Sequence, residues 1–221
     1  MPWPSKLVLV RHAESEGNVR SIEERAHYEV STHAYPLTAR GREQARLAGA
    51  YLQATYGAFD AYYTSYYLRA KETMAFMYPE AKVYEDDRLA EAQRGIWQTC
   101  TREQIDRHFP LEIARKDKEG LYHHRPLGGE NWPDIGLRAH SFLSTLSRDC
   151  DGQKVLIVVH GHWLIMFRKL VERFSIDEAV RRYHEATAPN ASVTVFEGAL
   201  VDGKPRLVLA QEHLVPWNGT L

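Results

Sequence analysis

Cysteine is nearly absent from this 221-residue chain: Cys100 and Cys150 stand alone, with no framework spacing. That excludes a disulfide-stapled scaffold and leaves one bridge or none. A reduced, cytoplasmic setting is the plain reading. Long hydrophobic runs are lacking too. After MPWPSK only a handful of apolar residues follow, too few for a signal peptide, and no stretch is long enough to span a membrane. Nor is there an excess of either charge. With 28 Lys and Arg against 29 Asp and Glu, the net charge is −1, so no global field draws nucleic acid or an anionic membrane. Any attraction for an anionic substrate must be local. Solenoid repeats, low-complexity segments and Gly/Ser-rich linkers are also missing. What remains is 44% hydrophobic and 26% charged, ordinary for a globular protein. The length fits one large α/β domain over 1–221 better than two small ones, and it can bury a core without staples.

Strand and helix patterns alternate from end to end. Lys6 to Val10 is the first strand, and 21–36 a long loop with room for a short helix. Thr38 is a fair N-cap for a helix carrying Ala45, Ala48, Leu52 and Tyr56 at helical spacing. Phe59 to Thr64 is the second strand, followed by a helix from about Leu68 to Tyr78. Lys82 to Tyr84 offers a short third strand. From Arg88 to Glu130 the chain is irregular and polar, an insertion (about 92–131) expected to lie over one end of the sheet. A helix begins at Pro133 with Ile135, Ala139, Phe142 and Leu146 on one face. Lys154 to Val159 is continuously apolar, as in a central strand covered on both faces, and the next helix carries Leu164, Phe167, Leu170, Val171 and Phe174. Strands Ser192–Glu197 and Arg206–Gln211 flank the turn Asp202-Gly203-Lys204-Pro205. The expected architecture is a three-layer α/β/α sandwich: a mostly parallel central sheet, helices on both faces, and the insertion over the carboxyl ends of the strands.

The two most apolar strands end alike. One runs into Arg11-His12, the other into His160-Gly161-His162, and a third is followed by Arg69. Open α/β sheets bind ligands outside the carboxyl ends of their strands. Arginine matches phosphate oxygens with rigid, permanently charged donors, and a histidine can attack phosphorus to form a covalent intermediate. Arg11, His12, Arg69 and His160 are therefore candidates for one phosphate site.

Four segments carry a family resemblance: RHAESEGN, YTSYYLRAKET, RLAEAQRGIW and VVHGH. PLTARGREQA and GGENWPDIGLRAHSFL match more weakly. In this order they resemble the histidine phosphatase superfamily, also called phosphoglycerate mutase-like, with Ala13 where Gly is usual. The resemblance implies His12 as nucleophile, Glu91 as proton donor, and Arg11, Asn18, Arg69, His160 and Gly161 around the phosphoryl group. It implies no cofactor and no metal, a small phosphorylated metabolite as substrate, no nucleic-acid or membrane partner, and a monomer or homodimer. Physically, nearby arginines would lower the His12 pKa, and a backbone carbonyl on its other ring nitrogen would fix the tautomer. Mutases usually carry a longer insertion after the acid segment, and Glu91-Ala92-Gln93-Arg94-Gly95 matches their form poorly. Phosphate monoester hydrolysis is thus the expected activity.

Three alternatives remain: phosphoglycerate mutase-type transfer, a catalytically silent binding module, and a metal-dependent hydrolase on His160 and His162. Other residues take structural readings. Glu14 and Glu16 read as ion-pair partners of Arg11. His27, His33, His108, His123, His124, His140, His184 and His213 read as exposed or capping. Tyr62, Tyr63, Tyr66 and Tyr67 read as core and rim packing. Arg20, Arg25, Arg94, Arg102, His123, His124 and Arg125 are candidates to approach the leaving group. If several do, the site favours an acidic or multiply phosphorylated substrate.

Overall fold

In a computed structural model describing residues 2–217 and 219, ten α-helices surround one six-stranded sheet. In chain order they are β1 (Lys6–Arg11), α1 (Glu16–Val19), α2 (Ile22–Ala26), α3 (Ala39–Tyr56), β2 (Ala61–Thr64), α4 (Leu68–Met77) and β3 (Val83–Glu85). Then come α5 (Ile96–Thr99), α6 (Arg102–His108), α7 (Pro110–His123), α8 (Trp132–Asp149), β4 (Lys154–Val159), α9 (Gly161–Glu172), α10 (Ile176–Glu185), β5 (Val193–Val201) and β6 (Lys204–Leu214). The sheet order is β3-β2-β4-β1-β5-β6. The first four strands are parallel and the last two antiparallel, so the mostly parallel α/β architecture expected above is the one found.

The apolar runs explain the layering. β1 and β4 lie side by side in the centre, where both faces are covered. Leu7, Leu9, Val155, Ile157 and Val159 pack against Ile135, Ala139 and Phe142 of α8 and Trp163 and Phe167 of α9. The alternate residues Val8, Val10, Leu156 and Val158 pack against Ala45, Ala48 and Leu52 of α3 and Ala70, Met74 and Met77 of α4. Thr38 caps α3 as expected, its hydroxyl accepting from the Gly41 N–H at 2.9 Å. Gly41 must be glycine, because a Cβ there would fall 1.9 Å from the Glu14 carbonyl oxygen. That close approach seats α3 against the loop that leaves β1.

The structure differs most from expectation between residues 94 and 130, which are helical rather than irregular. Helices α5, α6 and α7 form a cap whose two ends are tied by an Arg94–Gly129 bridge and a 2.7 Å bond from the Glu130 N–H to the Gln93 carbonyl. Gly95 sits in this tie with φ 51°, where a Cβ would meet the Leu127 carbonyl at 2.0 Å. The cap hid from periodicity because its centre is polar. Buried Glu112 accepts from Trp97 Nε1 (3.2 Å), Leu127 N (3.3 Å) and Arg115 Nη1 (3.3 Å), with His124 Nε2 at 3.1 Å. His124 is therefore buried, not exposed. His213 is partly buried between Thr194 and Arg168, also against expectation. The final hairpin is longer than expected, leaving only Asp202 and Gly203 as its turn. Smaller shifts occur elsewhere: β1 extends to Arg11, β2 starts at Ala61, and β3 is displaced one residue onward. The 21–36 stretch holds α2 and a 3-10 turn, Thr32–Ala34.

Candidate active site

A cleft of about 200 Å³ opens beyond the carboxyl ends of β1, β2 and β4. Parallel pairing delivers its parts: the His12 N–H continues the β1 ladder onto the Val159 carbonyl at 2.9 Å, and Ser65 N–H reaches the Val158 carbonyl at 3.4 Å. Residues distant in sequence thus converge because their strands are neighbours.

His12 is buried, and its two ring nitrogens have distinct surroundings. Nδ1 lies 2.8 Å from the Ala13 carbonyl, which can only accept, so Nδ1 carries the proton. Nε2 is then the basic nitrogen, and it accepts from Arg69 Nε at 3.2 Å. Burial, then Arg69, His160 and Arg11, hold the His12 pKa well below the ordinary histidine range. The loop around it is pinned by Ala13 N–H to Thr73 Oγ1 (3.0 Å) and by Asn190 Nδ2 to the His12 carbonyl (2.9 Å).

His160 lies wholly buried behind this ring, the two centroids 5.0 Å apart. Its Nε2 is 2.7 Å from Ser65 Oγ. That hydroxyl accepts the Tyr67 N–H at 3.1 Å, and among the described residues its own hydrogen has no acceptor other than Nε2, so the O–H donates to Nε2. The proton of His160 then sits on Nδ1, a buried atom with no partner among the described residues. Burial and Arg69 push the His160 pKa well down, so the ring is neutral.

Arginines complete the wall. Arg69 also donates Nη1 to the Thr32 carbonyl at 2.9 Å and stacks over Tyr67 at 4.4 Å. Arg11 donates Nη1 to the Ala188 carbonyl at 2.5 Å and keeps a buried Nε without a partner among the described residues. Asn18 caps its own turn through Oδ1, which accepts from Ser15 N–H (2.9 Å) and Oγ (3.0 Å), leaving its amide NH2 on the cleft.

Glu91 faces the same cleft. Oε1 accepts the Ala92 N–H at 2.9 Å and lies 3.4 Å from His162 Nδ1. Burial alone would raise its pKa, but His162, His160 and the Ala92 N–H outweigh it and hold the carboxyl well below the usual range. Arg138 steadies this segment, clasping Glu130 and donating to the Arg88 and Ala90 carbonyls at 2.9 Å each.

Arg11, His12, Asn18, Arg69 and Glu91 line the cleft. His160 backs it, and Gly161 lies outside it, where a Cβ would be 3.9 Å from Arg11 Cζ. Glu14 and Glu16 do form ion pairs, but with Arg40 and Arg20 rather than Arg11. Of the basic candidates, Arg25 and Arg94 reach the cleft; Arg102 and Arg125 pair with Asp106 and Asp134 instead. Tyr67 packs as expected, buried and edge-on to His160 at 5.0 Å, and it also lines the cleft. Sequence reasoning also missed Tyr35 and Trp97, and it weighed His162 only as a metal ligand. Among the described residues no group of three or more His, Cys, Asp or Glu could hold a metal ion, and no helix is long and apolar enough to cross a membrane.

With this fold and site in view, the chain's place among known proteins is clear. The pattern of the histidine phosphatase superfamily (branch 1) matches residues 7–212, and the chain belongs to that superfamily. A 2,3-bisphosphoglycerate-dependent phosphoglycerate mutase from Rhizobium etli is 29% identical over 203 residues, covering 87% of this chain and 90% of that protein. Among solved structures, Bacillus stearothermophilus YhfR is 27% identical, with a TM-score of 0.77 over 95% of this chain and 97% of its own. The alpha-ribazole phosphatase from Shigella flexneri shares the fold at TM-score 0.72 and 22% identity, over 95% and 98% of the two chains.

Proposed function

We propose that this protein hydrolyses phosphate monoesters through a phosphohistidine on His12. The observation that carries the reading is the fixed tautomer of His12, a buried imidazole whose basic Nε2 faces a cleft walled by Arg11 and Arg69. A phosphoryl group carrying about −1.5 to −2 charges near neutral pH would take donors from Arg11 Nε, Arg69, Asn18 Nδ2 and His160 Nδ1–H. Arg69 turns its Nε–H from the imidazole to a phosphoryl oxygen, freeing the lone pair. Nε2 then bonds to phosphorus as the bond to the leaving oxygen breaks. Glu91 gives that oxygen a proton. Glu91 is ionised in the empty site; the arriving negative charge works against that and favours its protonation. In the second half, water loses a proton to Glu91 and attacks phosphorus, the N–P bond breaks, and inorganic phosphate leaves.

Mutase-type transfer is the second reading, favoured by the name of the Rhizobium relative. Hydrolysis is preferred on the poor match of Glu91-Ala92-Gln93-Arg94-Gly95 to the mutase form, and solved neighbours described as phosphatases are compatible with it. The same chemistry makes the partner a small phosphorylated metabolite.

The test is phosphate release from an aryl phosphate with chelator present, comparing the native chain with His12→Ala from acidic to neutral pH. Release by the native chain alone supports the reading. Release by both overturns His12 as nucleophile. Interconversion of phosphoglycerates without net phosphate release would favour the mutase.

A further inference from the structure

A second chamber of about 240 Å³ adjoins the phosphate cleft, sharing Ala92, Arg94, Trp97 and His162 as its partition. It lies on the side of Glu91: Ala92, the next residue, lines it, and so does His162, which touches the Glu91 carboxylate. If Glu91 protonates the leaving oxygen, the leaving group departs toward this chamber. Its walls are flat rings, Trp97 from the cap, Trp132 from α8 and Tyr183 from α10. Trp132 and Tyr183 are braced against each other and against His162, with Trp132–Tyr183 centroids 5.1 Å apart and Tyr183–His162 4.8 Å apart. A cavity of roughly 150 Å³ accepts benzene, so this one has room for one substituted ring.

The charges inside do not balance. Glu130 is neutralised by Arg138, and Glu112, behind the wall, by Arg115. Arg94 and Lys116 have no carboxylate partner among the described residues, and the Lys116 ammonium rests over the Trp97 ring at 4.3 Å. Two uncompensated cations beside aromatic walls suit a ring that bears an anion.

We propose that this chamber is a leaving-group subsite, and that the preferred substrate is a phosphate monoester whose leaving group is a single flat ring carrying a second anionic group, carboxylate or phosphate. The proposal rests on the phosphatase reading above. The probes are 4-carboxyphenyl phosphate, its uncharged isostere 4-carbamoylphenyl phosphate, and 1,4-phenylene bisphosphate. The native chain should favour an anionic ester over the carbamoyl ester by roughly tenfold in kcat/KM, carried by KM, about what one charge-assisted hydrogen bond contributes. The two anionic esters tell carboxylate from phosphate as the preferred group. Lys116→Gln should reduce the preference to about twofold or less, because it removes one of the two cations. Equal kcat/KM in the native chain, or a preference that survives Lys116→Gln, overturns the subsite and leaves the phosphatase reading standing.

If no ester is cleaved, the phosphatase reading falls, and tryptophan fluorescence decides the chamber separately. Tighter binding of 4-hydroxybenzoate than of 4-hydroxybenzamide, lost in Lys116→Gln, supports it. Equal binding or none overturns it.

Discussion

Replacing Ser65 by alanine would test the proton bookkeeping of the site at a residue that does not itself line the cleft. The Ser65 hydroxyl is fully buried and joins two partners, the Tyr67 N–H at 3.1 Å and His160 Nε2 at 2.7 Å. Alanine leaves a buried donor and a buried acceptor unpaired, each worth about 1–3 kcal/mol. Taking the lower end of that range for both gives a loss near ~2 kcal/mol, or a fall in Tm of roughly 4–8 °C for a chain of this size. The functional effect is separate. Without the hydroxyl, nothing directs the His160 proton to Nδ1, and the tautomer that presents a lone pair to the phosphoryl group becomes available. A loss of about tenfold in kcat, equal to ~1.4 kcal/mol of transition-state stabilisation, is expected with little change in KM. Phosphate release from an aryl ester gives the kinetics, thermal melts the stability, and nitrogen NMR of the His160 ring the tautomer. A variant that melts lower but keeps native kcat and Nδ1 protonation would refute the assigned role of Ser65 as a positioning residue.

Other consequences are equally open to measurement. Arg69→Ala should lower kcat by about 10²–10³, as for loss of a transition-state donor, and steady-state kinetics will show it. Because burial, Arg69, His160 and Arg11 hold the His12 pKa well below the ordinary histidine range, the nucleophile should put no limb on kcat/KM at the ordinary histidine pKa; protonation of the His12 ring there by nitrogen NMR would contradict the buried tautomer. Stability has the opposite sensitivity. Burial and then Arg168 lower the His213 pKa to about 4, so below about pH 6.5 the unfolded chain takes up a proton that the folded one refuses. Its contribution is intact above that pH and decays by about 3 kcal/mol as pH falls toward 4; His213→Gln should flatten that part of a Tm–pH curve. Gly41→Ala should cost about 1–3 kcal/mol, since its methyl meets the Glu14 carbonyl at 1.9 Å, and chemical denaturation will measure it.

Legibility in the sequence followed burial. The runs LVLV and LIVV announced themselves because central parallel strands are apolar on both faces, and the strand ends at Arg11-His12 and His160 followed at once. The helix after Thr38 was equally plain from its cap and its small-residue face. The cap was not. Among the described residues of α7 the one fully buried side chain is Glu112, so the helix displays no apolar face that periodicity could find. Tyr67 and His162 were hidden for another reason. Their roles come from neighbours on other elements, His160 and Glu91, and no local spacing encodes that. The tautomers of His12 and His160 belong to the same class: each depends on an oxygen whose position only the folded chain defines.

The strand order also sets a schedule for synthesis. β1 emerges first, yet Lys6 pairs with Lys154 on one side and with Glu197 on the other. Until most of the chain has left the ribosome, the apolar strand that carries Arg11 and His12 has neither of its partners, and His12 has no His160 behind it. The apolar strand β1 must therefore stay uncovered until β4 and β5 have been made, and the proposed site is complete only after them.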